Sequence, residues 1–521
     1  MTAAVDEVSS EIPGEWPAER VSVVDPVPVT FRAARAATTV GALQIGVLLV
    51  MLLRSKVLAM LLKPEGLGIV STLDQLTQFV AQVSALSLIP TPTRFIARAV
   101  NEGLEAVTGM YSSLLKLLLV STVAGAALAT GLLYLEPNVL GASLHDYRTL
   151  AVIAVLSAPL FALSGYFANV SAAVKGYSTT SLYLLFAAVG SLAAAFIGIR
   201  INGIAGLYYG NLIAGLVSVL VIALYLRASV PLKFQWRVSG LRDAVRQHPD
   251  IVAYCSTSYV LTFAQPLTFL IVRSVMLRQL GAAEAGYFQA AFAISSIASL
   301  ILIQTVRVYL EPAVNRATDD QTKIEAANEF QRPFAVLILL GTLPLVLFPR
   351  NFIAVLFTQA FTPVSAVVFV FVLADCVFLC NQVYATVLMA VDDFKGFFQA
   401  HIVGHVSLCL GVWLLSARFG LAGVAWSFVV SRVIVFVLIQ RLLFTRHRLT
   451  MTAGTAWMIA YTMVALAGAG LIFGSGHVVG FAAAGVRVCA FGVISAATVA
   501  FFTKDERAWL GTMVRRVAGY R

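Results

Sequence analysis

The ionisable side chains that fall deep inside otherwise apolar stretches include Arg54, Lys56, Asp74, Arg273, Asp375 and Arg432. A charge in hydrocarbon is costly, so each marks a candidate substrate or ion pathway. Arg54 and Asp74 flank Pro64 at equal distance in sequence. With about 1.5 Å rise per residue, both lie roughly 15 Å below that turn. A pair across the hairpin is open, as a structural ion pair or a functional one. Arg54 and Lys56 are two apart and point to different sides of a helix, so at most one shares a face with a central cavity.

Ser71, Asp74, Gln75, Gln78 and Gln82 follow helical spacing and share one face. Such a face lines water or joins helices through hydrogen bonds; three glutamines so close together favour water. Asp375 and Arg432 lie at similar depth and could pair near the midplane, or Arg432 could face a cavity alone, with Asn381 and Gln382 adding polarity. The deep bases outnumber the deep acids, which suits an anionic substrate unless snorkelling and local pairing absorb the difference. Asp74 and Asp375 are the candidate sites for a coupling ion. His401, His405 and Cys409 recur every four residues, but an acidic neighbour and a fourth ligand are missing from that face. They read as a packing face or proton-active histidines, and no metal or other cofactor is expected.

These residues need membrane-spanning helices to position them. The chain has 521 residues, 60% hydrophobic and 12% charged, with mean hydropathy +0.89. A soluble domain carries about twice that charged fraction. Fourteen apolar segments are long enough to span, near 38–62, 67–91, 110–134, 148–173, 179–199, 203–226, 250–276, 284–309, 331–349, 364–390, 396–416, 420–444, 453–474 and 480–502. The segments are continuously apolar, which excludes a barrel and leaves an all-α polytopic membrane protein. The five cysteines lie in apolar stretches and predict no disulfide framework. There is no P-loop for ATP and no large outer loop for polymerase chemistry, so an enzyme is not expected.

The net charge of +11 reflects basic loops, not a nucleic-acid partner. The inner side, including Arg94, Arg98, Lys175, Lys233, Arg237, Arg242, Arg246, Arg316, Lys323, Arg446 and Arg448, exceeds the outer side roughly fourfold in Lys and Arg. The outer side has Lys63, Arg148, Arg200, Arg278, Arg350 and Arg418. Both termini are therefore expected in the cytoplasm. Residues 1–37 read as a disordered tail without a cleavable signal. Residues 229–249 read as a basic linker, and 503–521 as an amphipathic tail on the membrane surface.

A weak internal repeat runs through the chain. Gly203-Ile204-Ala205-Gly206 recurs as Gly420-Leu421-Ala422-Gly423, 217 positions on, and Leu62 and Gly68 match Leu280 and Gly286 at 218. At that offset Gln289 corresponds to Ser71, and Arg273 falls near Ser55 and Lys56. Residues 38–228 and 250–445 thus form two six-helix lobes. An even number of spans makes the repeat parallel, as in secondary transporters with a midplane site. Residues 446–502 supply two extra spans.

Leu53-Arg54-Ser55-Lys56-Val57-Leu58-Ala59 with Gly66-Leu67-Gly68 resembles the first hairpin of Wzx-type polysaccharide and O-antigen flippases. Ile271-Val272-Arg273, Gly281 and Gly286-Tyr287-Phe288-Gln289-Ala290 resemble the start of their second half, and the two Gly-rich turns resemble those opening spans six and twelve. The family belongs to the multidrug/oligosaccharidyl-lipid/polysaccharide (MOP) exporter superfamily. The resemblance implies alternating access and export of an undecaprenyl-diphosphate-linked oligosaccharide across the bacterial inner membrane. It implies a lipid-tail groove at spans thirteen and fourteen, and headgroup contact by Lys56 and Arg273, then Arg54; Arg432 rests on depth alone. Gln75, Gln78 and Gln82 would line the same path. A polysaccharide polymerase and a chain-length regulator are the expected protein partners. A multidrug antiporter or peptidoglycan-precursor flippase of the superfamily is the nearer alternative, and a membrane polymerase or ligase the more distant one.

Overall fold

The computed structural model describes residues 29–135, 147–229, 234, 250–473 and 481–500. Residues 1–28, the outer connection 136–146, nearly all of the basic linker and the tail 503–521 lie outside the described residues. Every regular element described is helical. That is how a chain in lipid keeps its backbone donors and acceptors paired.

The helices are α1 (Val29–Ser84), α2 (Thr91–Ala99), α3 (Leu104–Leu135), α4 (Arg148–Leu156), α5 (Ala158–Lys175), α6 (Tyr177–Ala193), α7 (Ile199–Ser229) and α8 (Asp250–Gln279). They continue with α9 (Ala282–Thr305), α10 (Glu311–Arg316), α11 (Asp320–Leu347), α12 (Pro349–Leu356), α13 (Ser365–Ala390), α14 (Phe394–His447), α15 (Ala453–Phe473) and α16 (Phe481–Ala500). Among the described residues, nine helical stretches are long and apolar enough to cross a membrane. The chain is a multi-pass membrane protein.

Three of those stretches, Ala42–Ser84, Ser178–Ala228 and Phe394–His447, run 43, 51 and 54 residues. One crossing needs about 20. Each is two helices joined at a break: Lys63 in α1, Asn202 and Gly203 in α7, Gly420 in α14. The breaks repeat with the sequence. Gly203 (φ 54°, ψ −138°) and Gly420 (φ 57°, ψ −140°) adopt one conformation. It is a left-sided geometry that glycine reaches without a Cβ clash. Lys63 (φ 58°, ψ −176°) and Gly281 (φ 91°, ψ 176°) do the same at the other offset.

The ends of the helices differ from the sequence reading in several places. α1 starts at Val29, so residues 29–37 are helical where a disordered tail is expected. The second apolar segment ends at Ser84 and not near residue 91. Leu86 and Ser87 then turn the chain at positive φ. α2 follows, with Phe95 and Ile96 buried and Arg94 and Arg98 exposed on its other side. α11 starts at Asp320, well ahead of residue 331, because Asp319 caps it by accepting from the Thr322 amide at 2.8 Å.

The chain divides into two compact units. Unit 1 is Met1–Val57, Leu76–Pro137 and Tyr147–Phe263; unit 2 is Leu58–Gln75, Asn138–Asp146 and Ala264–Arg521. This departs from a division into two successive lobes, because the hairpin segment Leu58–Gln75 belongs with the second half. The reason lies in unit 2. A Cβ on Gly68 would strike the Ala282 carbonyl oxygen, and a Cβ on Gly286 would strike the Pro64 carbonyl oxygen. Gly68 matches Gly286 and Pro64 matches Ala282 at one offset of 218. The two helix starts therefore pack reciprocally, backbone against backbone, and only glycine permits that approach. Below this contact, Phe288, Phe292, Phe371 and Phe428 form an aromatic core with centroids 5.5 to 6.1 Å apart. In unit 1, Tyr111, Tyr166 and Phe167 do the equivalent work, the Tyr166 hydroxyl donating to the Tyr111 carbonyl at 3.0 Å.

Candidate functional site

The Gly68–Gly286 approach brings α9 against the second part of α1 and places Ser71 and Gln289 one turn further along. α8 carries Arg273 between them. Its Nη1 donates to Ser71 Oγ at 2.6 Å and its Nη2 to Gln289 Oε1 at 2.5 Å. Ser71 in turn donates to the Gly68 carbonyl at 3.0 Å, so the hydroxyl is oriented to accept from the guanidinium. The Phe288 ring lies under the guanidinium, with the centroid 5.3 Å from Cζ. Arg273 is only 5% exposed, and its Nε is buried without an acceptor. Asp74 acts on it electrostatically, while its two hydrogen-bond partners are neutral. A buried guanidinium held by neutral acceptors has its Nε–H still unmet and available to an anion.

Asp375 and Arg432 form a direct ion pair, with Asp375 3% exposed. Asn381 Nδ2 donates to the Arg432 backbone carbonyl at 3.0 Å, and the guanidinium sits over Phe378 and Phe428 at 4.9 and 5.7 Å. Of the two arrangements open from sequence, the structure has the pair. Depth in the span placed these two residues at one height, but only packing fixes that their helices turn them toward each other.

The polar face of α1 divides in use. Ser71 holds Arg273. Gln75 Nε2 donates to the Pro266 carbonyl at 3.2 Å and so ties α1 to α8, a helix-joining role where a water-lining one is favoured by the spacing. Gln78 is exposed and Gln82 half-buried. Arg54 and Lys56 are half-buried in unit 1, and Asp74 is half-buried in unit 2. His401 packs against Phe397 with the rings tilted and centroids 4.3 Å apart. Among the described residues no group of three or more His, Cys, Asp or Glu is placed to hold a metal ion. All five cysteines are free thiols.

Two polar nodes escape the sequence reading. Asn328 of α11 is buried; Tyr384 donates to its Oδ1 at 3.1 Å, and its Nδ2 donates to the Thr450 carbonyl at 3.2 Å. Thr455 Oγ1 donates to the Asn328 carbonyl at 3.3 Å, so the start of α15 is pinned to α11. The second node is Asp393. It caps α14 through the Gly396 amide at 2.8 Å, and Arg446 Nη1 reaches both its carboxylate oxygens at 2.9 Å. An Asp just before an aromatic run, followed three residues on by Gly, is a capping signal legible in sequence. The distant Arg446 is not.

No family model matches the sequence, and no curated protein matches it. Solved structures do. A multidrug resistance MATE family transporter of the MOP superfamily, in its inward-facing conformation, is similar with TM-score 0.65 and 14% identity, over 77% of this chain and 94% of that one. The lipid II flippase MurJ, inward closed, is similar with TM-score 0.69 and 14% identity, over 91% of this chain and 99% of that one. The MATE multidrug transporter DinF-BH gives TM-score 0.59 and 15% identity, over 82% of this chain and 98% of that one. At such identity the likeness is one of fold: the chain is folded like the MOP superfamily transporters.

Proposed function

We propose that the protein is a flippase that carries an undecaprenyl-diphosphate-linked oligosaccharide across the bacterial inner membrane by alternating access. The observation that carries this reading is Arg273: a buried cation with neutral hydrogen-bond partners and an unmet Nε. A diphosphate leaving water loses hydration, and fixed donors must replace it. Arg273 is the first headgroup contact, with Lys56 and Arg54 as further cations on the path. Asp74 is retained as a coupling-ion candidate. The Asp375–Arg432 ion pair supports reading both residues as a structural pair in place of a headgroup contact and a coupling-ion site.

The same proposal includes fourteen spans, with both termini in the cytoplasm and two extra C-terminal helices. The breaks in α1, α7 and α14 support that count by turning each long helix into two crossings. The lipid II flippase likeness extends over 91% of the chain and the multidrug transporter likenesses over 77 to 82%, which supports a span number beyond twelve. A precursor of peptidoglycan as the cargo is the second reading that this coverage favours. A drug antiporter for organic cations would want an acid-rich cavity, whereas the deep bases here outnumber the deep acids. A polysaccharide polymerase and a chain-length regulator remain the proposed partners.

The test is complementation of strains lacking either an oligosaccharide flippase or a lipid II flippase, scored for surface polysaccharide or survival and normalised to membrane protein level. Rescue of the first supports the proposal. Rescue of the second alone moves the cargo to lipid II, and rescue of neither at normal protein level overturns the flippase reading.

A further inference from the structure

α6 and the second part of α7 run antiparallel in unit 1, and between them lies a cavity of about 460 Å³. Its wall includes Thr179, Leu182, Phe186 and Val189 from α6, with Val221 and Tyr225 from α7. Leu182, Phe186, Val189, Val221 and Tyr225 are all exposed, so the cavity is an open groove on the surface of the helix pair, and its apolar lining suits contact with lipid. Polar atoms close to the wall are satisfied within the protein: Tyr183 OH and Ser164 Oγ hydrogen-bond at 2.6 Å, and Gln44 Nε2 donates to Ser181 Oγ at 3.3 Å. The groove therefore presents hydrocarbon and aromatic rings.

Its length and its one charged end identify the occupant. From Thr179 to Val189 the groove runs about 15 Å at helical rise. That is the depth of one leaflet, half of a hydrocarbon core of about 30 Å. A long polyisoprenoid chain would overrun it; a phospholipid acyl chain fits. At the end marked by Thr179 and Tyr225, α5 finishes with Lys175 and the last turn of α7 carries Arg227. Both cations are exposed and stand within a turn of the groove's end residues. Glu and Asp are absent from α5, α6 and α7 altogether.

We propose that this groove is a specific site for an anionic phospholipid, one acyl chain lying between α6 and α7 and the headgroup phosphate between Lys175 and Arg227. A bound lipid of this kind fills a lipid-facing defect that helix packing leaves open, and it ties the two helix ends together through charge.

Delipidated full-length protein in phosphatidylcholine nanodiscs, titrated with phosphatidylglycerol and read by native mass spectrometry, tests this. One phosphatidylglycerol per chain should be retained in preference to phosphatidylcholine. Lys175→Gln and Arg227→Gln should each weaken retention about fivefold, the size expected of one basic residue at a membrane surface. Both positions are exposed, so these variants report on binding and not on folding. Val221→Trp, which fills the groove and leaves the charges in place, should weaken it as well. Glycerophosphoglycerol, the headgroup without chains, should fail to compete. Equal retention of the two lipids, wild-type retention by the double charge variant, competition by the chain-free headgroup, or displacement by a polyprenyl phosphate at equal concentration would each overturn the proposal.

Discussion

Ser71 and Gln289 occupy one position of the internal repeat, and both accept a hydrogen bond from the same side chain, Arg273, at 2.6 and 2.5 Å. The guanidinium thus sits where the two copies of one hairpin meet. The contact is reciprocal in backbone, through Gly68 and Gly286, and asymmetric in charge, since the position matching Arg273 holds Ser55. A duplicated scaffold has become a single cationic site.

Arg273→Ala should leave little export, below about a tenth of wild type, at near-normal protein level. A charge-assisted hydrogen bond from this guanidinium to a phosphate would contribute about 1.5–3 kcal/mol, enough for a tenfold loss of export when it is removed. Arg273→Lys should retain part of the activity, because an ammonium keeps the charge but loses the fork. Ser71→Ala and Gln289→Ala should each give intermediate export. Complementation normalised to membrane protein reads all four, and full export by Arg273→Ala sinks the cationic-site mechanism.

Breaking the Asp375–Arg432 pair from one side should destabilise the protein by about 3–5 kcal/mol, because a buried charge loses its partner. Asp375→Asn and Arg432→Met separately should lower the melting temperature in detergent. The double variant should recover much of the loss, and its export should follow its protein level. A double variant that melts like wild type yet exports nothing would return these residues to the transport path.

Gly68→Ala and Gly286→Ala should each cost about 1–3 kcal/mol by overpacking a backbone contact. Together they should cost less than the sum, since either methyl already separates the same two helix starts. Thermal unfolding of the three variants measures this; strict additivity would mean that the two contacts are independent.

The Asp393 node has a pH signature. Burial pushes its carboxyl up, but the Gly396 amide, Arg446 and His447 together outweigh that and hold it below the usual carboxylate range. A depressed folded pKa contributes stability that is present above the unfolded value and lost as pH falls through the folded one. The melting gap between wild type and Asp393→Asn should be widest near neutrality. It should close as pH falls below about 3.9, the ordinary Asp value.

Cysteine labelling in spheroplasts checks the topology. Single cysteines introduced after Arg246 and beside Arg448 should be protected from a membrane-impermeant reagent, and one at Arg350 should react. Labelling at either of the first two overturns the orientation.

Hydropathy alone made the all-helical membrane class legible, because lipid makes a continuous apolar run the one requirement for crossing; among the described residues nine stretches meet it, against the fourteen segments read from sequence. The repeat was legible too, and it paired Ser71 with Gln289 by offset. What sequence left open was direction around a helix axis. It placed Arg432 at the height of Asp375 without saying whether they face each other, and it put Gln75 on a polar face without naming Pro266 opposite. α2 was invisible because nine residues are too few for a hydropathy window, and its burial of Phe95 and Ile96 is tertiary. Asn328 was missed for a similar reason: its partners Thr450 and Thr455 come from a segment far along the chain.

Lys63 offers a last consequence. Its backbone, at φ 58° and ψ −176°, is shaped like that of Gly281 in the other copy, yet it bears a side chain. That region of conformational space is essentially reserved for glycine and costs of order 1–3 kcal/mol for other residues. The first copy makes the same bend without the residue that makes it easy. Lys63→Gly should therefore raise the melting temperature, a rare case in which a more flexible residue stiffens a membrane protein by relieving the state it must occupy.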